Sequence, residues 1–192
     1  MIHTDVSGPH IVSTIDRCTY AVSFIDQVTE YRFVYYIRRK SDVLEALKQF
    51  KCDFSPWGRI KRLKSDNGGE YTAARLRGWC RDNNIVQKFT SPDTPEQNGT
   101  AERCWGVLKN MARTMMIEAE MAPGFWQRAM STACYIANRM PTASQPDITP
   151  FERLTGERPD NSHFRRFGCL AFPVTPGYKK SVSYTHLRAH ET

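Results

Sequence analysis

Asp5, Asp66 and Glu102 are acidic residues standing where the chain's patterning puts the ends of structural elements. Asp5 lies in the first strand-like segment. Asp66 closes a short strand and opens a turn cluster. Glu102 follows a polar loop, at the start of a long helical stretch. Thirty-five residues separate Asp66 from Glu102. If the three converge, the chemistry they suit is the holding of hard divalent cations. Two such cations, about 3.5–4 Å apart, activate an attacking oxygen and stabilise the leaving oxygen of a phosphodiester. Mg²⁺ takes carboxylate oxygens and keeps positions open for substrate phosphates. Strand ends and a helix hold such groups rigidly. Taken singly, an acidic residue at an element end is more often a solvated charge or a cap, and the chain has 20 Asp and Glu to distribute. Asp26, which also ends a strand, competes with Asp5. Glu70, just past Gly68-Gly69, competes with Asp66 but is expected to open the next helix.

The elements that must position these groups follow from periodicity. Ile2 to Val6, Thr19 to Asp26 and Tyr31 to Ile37 are β-branched and aromatic and read as strands. The short Gln27–Glu30 stretch joins the last two as a hairpin. Ser41, as an N-cap, opens a helix with Val43, Leu44, Leu47 and Phe50 on one face. Ile60 to Lys64 is a further strand, Tyr71 to Asn84 a helix, and Ile85 to Phe89 a strand. Ser91 to Gly99 is a loop of turn residues. A long helix runs from about Thr100 to Met121. Pro123 suits the first turn of the next helix, which reaches about Met140. Pro150 to Leu154 is a short helix. This order predicts an α/β fold with a mixed five-stranded sheet flanked by helices. Trp79, Trp126 and the Tyr35-Tyr36 pair are read as core residues.

Composition bounds the rest. The 192 residues are 40% hydrophobic and 24% charged, a globular balance. Lys and Arg number 27 against 20 Asp and Glu, a net charge of +7 that favours polyanionic partners. The six cysteines are scattered without a C-x-x-C pair, so reduced and mostly buried thiols are expected. No apolar run reaches the length of a membrane span and the first residues carry no secretory pattern, so an intracellular protein without a membrane partner is expected. Residues 181–192 (SVSYTHLRAHET) continue no pattern, resemble translated adapter sequence, and are read as non-native.

The local sequence around each carboxylate carries a resemblance. His3-Thr4-Asp5-Val6-Ser7-Gly8-Pro9, Leu63 to Tyr71 (LKSDNGGEY) and Ser91 to Arg103 (SPDTPEQNGTAER) resemble the three catalytic segments of Ty1/copia-type retrotransposon integrases. The 35-residue interval matches the Asp, Asp-35-Glu pattern of that superfamily. Phe125-Trp126, Ala137 to Pro141 (ANRMP) and Phe167-Gly168-Cys169 resemble the copia-type extension beyond the core. The similarity runs from about residue 2 to 175. It implies a ribonuclease H-like fold, with a catalytic core at 1–121 and a helical extension at 122–180. It implies Asp5, Asp66 and Glu102 as catalytic metal ligands, for Mg²⁺ or Mn²⁺ and for two ions. It implies 3′-end processing and strand transfer on retrotransposon-end DNA and target DNA, by a homo-oligomer working in the nucleus. The alternative is a catalytically inactive remnant that only binds nucleic acid or a partner. Cys104 and Trp105 stand where the family carries basic or polar residues, which implies a weakened DNA contact or a decayed copy.

Other DNA contacts are expected around the carboxylates. Lys109 follows Glu102 by two helical turns and so faces the same way. Lys64 leads into Asp66 on a strand with Arg59, Lys61 and Arg62. Arg103 neighbours Glu102, and Asn98 lies in the loop before it. Each has the alternative of a solvated surface position. Arg38, Arg39 and Lys40, at the end of a strand, are read as solvated edge charges.

Overall fold

A computed structural model of the chain describes residues 1–90 and 99–171. Asn98, most of the Ser91–Gly99 loop, and the tail at 181–192 lie outside the described residues.

Strands β1 (Ile2–Ser7), β2 (Tyr20–Asp26) and β3 (Arg32–Ile37) form an antiparallel meander. On its other side β1 pairs in parallel with β4 (Arg62–Ser65), and β4 with β5 (Val86–Phe89). The sheet order is β3-β2-β1-β4-β5. Parallel pairing needs crossover connections. These are helix α1 (Val43–Phe54) between β3 and β4, and helices α2 (Gly69–Thr72) and α3 (Ala74–Asp82) between β4 and β5. β2 is buried along nearly all its length because helices cover both its faces.

Alternation along β2 divides the core in two. Val22 and Phe24 face α1, where Phe24 stacks on Phe50 with ring centroids 4.5 Å apart. Ala21 and Ile25 face α4 (Gly99–Glu118) and α5 (Trp126–Arg139). On α4 the buried residues are Ala101, Cys104, Trp105, Leu108 and Ala112, an apolar stripe at helical spacing. On α5 the small residues Ala129, Ala133 and Ala137 let that helix lie close against α4. Asn138 then fastens α5 to the edge strand: Arg32 N–H donates to its Oδ1 at 2.9 Å, and its Nδ2 donates to Arg32 C=O at 2.8 Å. An unpaired strand edge is thereby satisfied by a side chain of the ANRMP segment. α6 (Pro150–Thr155) is capped at both ends, by the Thr149 hydroxyl accepting from Glu152 N–H and by Gly156 in the left-handed region.

The structure departs from the sequence reading at several points. Ser41 is not an N-cap. It lies in a 3₁₀ turn (Lys40–Asp42) closed by Asp42 N–H donating to Arg39 C=O, with Arg39 N–H donating to the Asp42 carboxylate, and α1 begins only at Val43. The stretch expected as one helix from Tyr71 is two, because Ala73 adopts an extended conformation (φ −57°, ψ 135°). Cys104 and Trp105 do not face solvent or DNA. Each is only 4% exposed, packed between α4, the sheet and α5. Trp126 is buried as expected, while Trp79, Tyr35 and Tyr36 are half-buried.

Candidate active site

The parallel register of β1 on β4 sets Ile2 beside Leu63 and His3 beside Lys64. Continued by two residues, it places Asp5 beside Asp66. Neighbouring strands lie about 4.8 Å apart, and paired residues project from the same face. That face is the one covered by α4 and α5, because Asp5 pairs with Ser23, which lies between Ala21 and Ile25 on β2. α4 packs over β1 through its buried stripe, and its first turn carries Glu102 on the flank of that stripe. Asp5 registers the result. Burial first, then the charge of Asp66, and to a smaller extent that of Glu102, push its pKa up to about 6, while Lys109 pulls the other way. Asp5, Asp66, Glu102 and Lys109 therefore share one electrostatic neighbourhood.

Asp66 is held by its own turn, its Oδ1 accepting Gly68 N–H at 3.0 Å. A Cβ at Gly68 would lie 3.0 Å from that oxygen and 2.9 Å from Glu70 Oε2, so a side chain there would have to displace both carboxylates. Asp5, within β1, and Asp66, just past the end of β4, are half-buried and are the hard oxygen donors that a divalent cation takes. Glu102 is exposed. Among the described residues, no group of three His, Cys, Asp or Glu side chains is close enough as placed to hold a metal ion. The donor chemistry thus fits a divalent cation at the Asp5–Asp66 pair, with Glu102 as the outlying member.

The competing carboxylates have other duties. Asp26 pairs with Ile2, at the opposite end of β1 from Ser7, and its Oδ2 accepts from the Thr29 N–H and hydroxyl, both at 3.0 Å. It caps the β2–β3 turn. Glu70 forms an ion pair with Lys40 at 3.3 Å. Its place beside Gly68 keeps it near Asp66, an arrangement that the double glycine alone does not reveal. Lys40, read from sequence as a solvated edge charge, is the partner that neutralises it.

Lys64 is half-buried on β4 beside His3, on the site's face but a pair of residues below the carboxylates. Arg103 lies on the other flank of α4 from Lys109. It lines a separate cavity with Asp26, Glu30 and Arg32. The structure therefore brings Lys109 to the carboxylates and turns Arg103 away from it. Beneath the site, Tyr71 is fully buried, its hydroxyl 3.0 Å from Thr4 Oγ1. Burial above all, with smaller contributions from Asp5, Asp66 and Glu70, raises the pKa of that phenol well above its ordinary value. His3, next to the pair on the same face, is buried with neither ring nitrogen partnered, and burial followed by the charge of Lys64 lowers its pKa. Only the alternation of β1 could have pointed to His3, and nothing local pointed to the Thr4–Tyr71 bond.

Residues 1–95 match the integrase core domain family. The chain is 33% identical over 178 residues to the retrovirus-related Pol polyprotein from transposon TNT 1-94 of Nicotiana tabacum, covering 92% of this chain and 13% of that polyprotein. It is 34% identical over 181 residues to the Pol polyprotein from transposon RE2 of Arabidopsis thaliana, covering 93% of this chain and 12% of that one. The chain thus spans about an eighth of the length of these curated relatives. Among solved structures, the HTLV-2 integrase catalytic core domain in complex with magnesium superposes with a TM-score of 0.61 at 16% identity, covering 80% of this chain and 94% of that one. A chain of the simian T-cell lymphotropic virus intasome superposes at 0.64 with 18% identity, covering 94% of this chain and 59% of that one. The architecture is the ribonuclease H-like one that the resemblance implied.

Proposed function

Because the chain belongs to the integrase core family, in the Ty1/copia branch of retrotransposon Pol polyproteins, we propose that it is a catalytic core for metal-dependent DNA 3′-end processing and strand transfer. The observation that carries this reading is the pairing of β1 with β4, which sets Asp5 beside Asp66 under the helix bearing Glu102. Asp5, Asp66 and Glu102 are the proposed ligands of two divalent ions. When bound, such ions supply an activated oxygen nucleophile and stabilise the leaving oxygen of the phosphodiester. The HTLV-2 core is described in complex with magnesium, which supports Mg²⁺ here, and Mn²⁺ is the proposed alternative.

The chain's own side chains do the positioning. Asp5 sits within β1 and Asp66 directly follows β4, so their separation is set by the sheet. Lys109, on the flank of α4 shared with Glu102, holds a substrate phosphate beside them. With a pKa near 6, Asp5 is mostly ionised at neutral pH and free to accept a cation. The substrates we propose are retrotransposon-end DNA and target DNA, handled by a homo-oligomer in the nucleus. The HTLV-2 core is described in both trimeric and dimeric forms, which supports self-association. We assign the catalytic unit to residues 1–121 and a helical extension to 122–180.

One observation favours a second reading, that of an inactive remnant: Glu102 does not complete a three-ligand group among the described residues. The test is a strand-cleavage and joining assay on a branched oligonucleotide with Mn²⁺, with EDTA, and with Asp66→Asn. Joining that needs the metal and is lost in the variant supports the catalytic reading. A folded, metal-binding chain without activity supports the remnant.

A further inference from the structure

A cavity of about 500 Å³ opens on the carboxylate face of the sheet, between the segment after β1, the second half of α4 and the start of α5. One wall is aromatic: the half-buried His10 ring lies against the buried Trp126 ring, 4.4 Å apart between centroids. Met116 contributes to an apolar lining, Lys109 and Arg113 supply two cations, and Glu120 is the acidic residue at the edge. Lys109 and Arg113 are four residues apart and so lie on one helix face. Lys109 also stands within electrostatic reach of both Asp5 and His10, so one cation links the cavity to the carboxylate pair.

The cavity is built in advance of any ligand. Trp126 Nε1 donates to Ile11 C=O at 2.8 Å, and Thr14 N–H donates to Gly124 C=O at 2.9 Å, tying the segment after β1 to the start of α5. His10 N–H donates to Thr19 C=O at 2.7 Å, and its Nε2 lies 3.1 Å from Ser7 Oγ. The volume lies within the usual range of about 300–1,000 Å³ for small-molecule sites. A flat, apolar face flanked by anions is the ligand this lining matches: the aromatic wall and methionine suit a π-face, and the two cations suit phosphates.

We propose that this cavity receives one unpaired nucleobase of the DNA strand whose phosphate lies at Asp5 and Asp66, with Lys109 and Arg113 on the adjoining phosphates. The inference rests on the DNA-joining function proposed above. A base displaced from a duplex is cheapest to admit at a frayed end, where pairing is already lost. The pocket would thereby hold the strand end in register with the carboxylates and discriminate among end sequences.

The test uses the whole chain and DNA-end oligonucleotides carrying one 2-aminopurine or one abasic nucleotide at successive positions. The fluorescence arm is run without metal, so it is independent of catalysis. The expectation is that one position near the end shows strong quenching on binding, that an abasic nucleotide there weakens binding by about 5- to 150-fold, the loss expected for one base–aromatic stack, and that Met116→Trp, which fills the cavity, abolishes both position-specific effects. A thermal melt confirms that the variant is folded, and Ile117→Ala, at the outer edge, serves as a milder second variant that should reduce quenching. Uniform fluorescence and uniform tolerance of abasic positions overturn the proposal. If metal-dependent joining persists in that case, the catalytic reading stands and only the base pocket falls. If joining is absent, quenching that Met116→Trp leaves unchanged also overturns it.

Discussion

Replacing Asp5 with Asn should stabilise the fold at pH 8 and about half as much at pH 5. The folded-state pKa of Asp5 is raised from 3.8 to about 6. Below the lower value both folded and unfolded chains hold the proton, and the favourable linkage is fully present. Between the two values only the unfolded chain gives it up, so stability falls as pH rises, and the contribution is gone above about 6. A separation of about two units corresponds to about 3 kcal/mol as a ceiling. Partial solvation of a half-buried group reduces this to about 1–3 kcal/mol. For a chain of this size each kcal/mol moves the midpoint by about 2–4 °C, so Asp5→Asn should gain about 3–10 °C at pH 8. At pH 5 the folded carboxyl is about nine-tenths protonated but the unfolded one is mostly ionised, so about half of the gain remains, about 1–5 °C. The assay is thermal unfolding in EDTA at both pH values. Asp66→Asn should give part of the same gain, and the double variant should gain less than the sum, because the two carboxylates repel one another. An equal gain at both pH values, or a loss at pH 8, would refute the reasoning that like charge and burial act on Asp5.

Gly124→Ala should cost about 1–3 kcal/mol, because its new Cβ would clash with Thr14 Oγ1, and Thr14→Ala in the same chain should recover most of it in denaturant unfolding. Trp105→Ala should cost about 3–5 kcal/mol of stability while leaving the salt dependence of DNA binding unchanged, since the indole is buried in the core. Tyr71→Phe should cost about 1–3 kcal/mol by orphaning the buried Thr4 hydroxyl, and adding Thr4→Val should restore much of that loss on a urea midpoint.

The parts of this fold that were legible in sequence are those written in local patterns. β2 and β3 announced themselves through β-branched and aromatic runs, and α4 through its buried stripe from Ala101 to Ala112. The break at Ala73 was not legible, because alanine is a good helix former and no glycine or proline marks the kink. Ser41 has the composition of a cap, but Asp42, one residue on, reaches the Arg39 N–H and shifts the helix start. Cys104 and Trp105, two and three residues past Glu102, belong to the buried stripe of α4, and their packing against α5 is a tertiary contact that the local sequence does not reveal.

At the site, Asp5 and Asp66 were legible through their flanking residues, whereas the register that pairs them is set by crossovers of long sequence separation. The Glu70–Lys40 ion pair joins residues brought together by α1 and β4, so no local window holds it. Asn138 was visible as part of a motif, but its bonds to Arg32 across 106 residues are a tertiary fact. The loop residue Asn98 falls outside the described residues.

The most direct test of the central claim is a Mn²⁺ titration of the whole chain, followed by paramagnetic resonance, for the wild type and for Asp5→Asn, Asp66→Asn and Glu102→Gln. The account predicts that each substitution weakens binding, with Asp66→Asn and Asp5→Asn having the larger effects, and that Glu102→Gln removes at least one bound ion. Binding by Glu102→Gln that matches the wild type in both affinity and stoichiometry would contradict the claim that the three carboxylates act as one metal site.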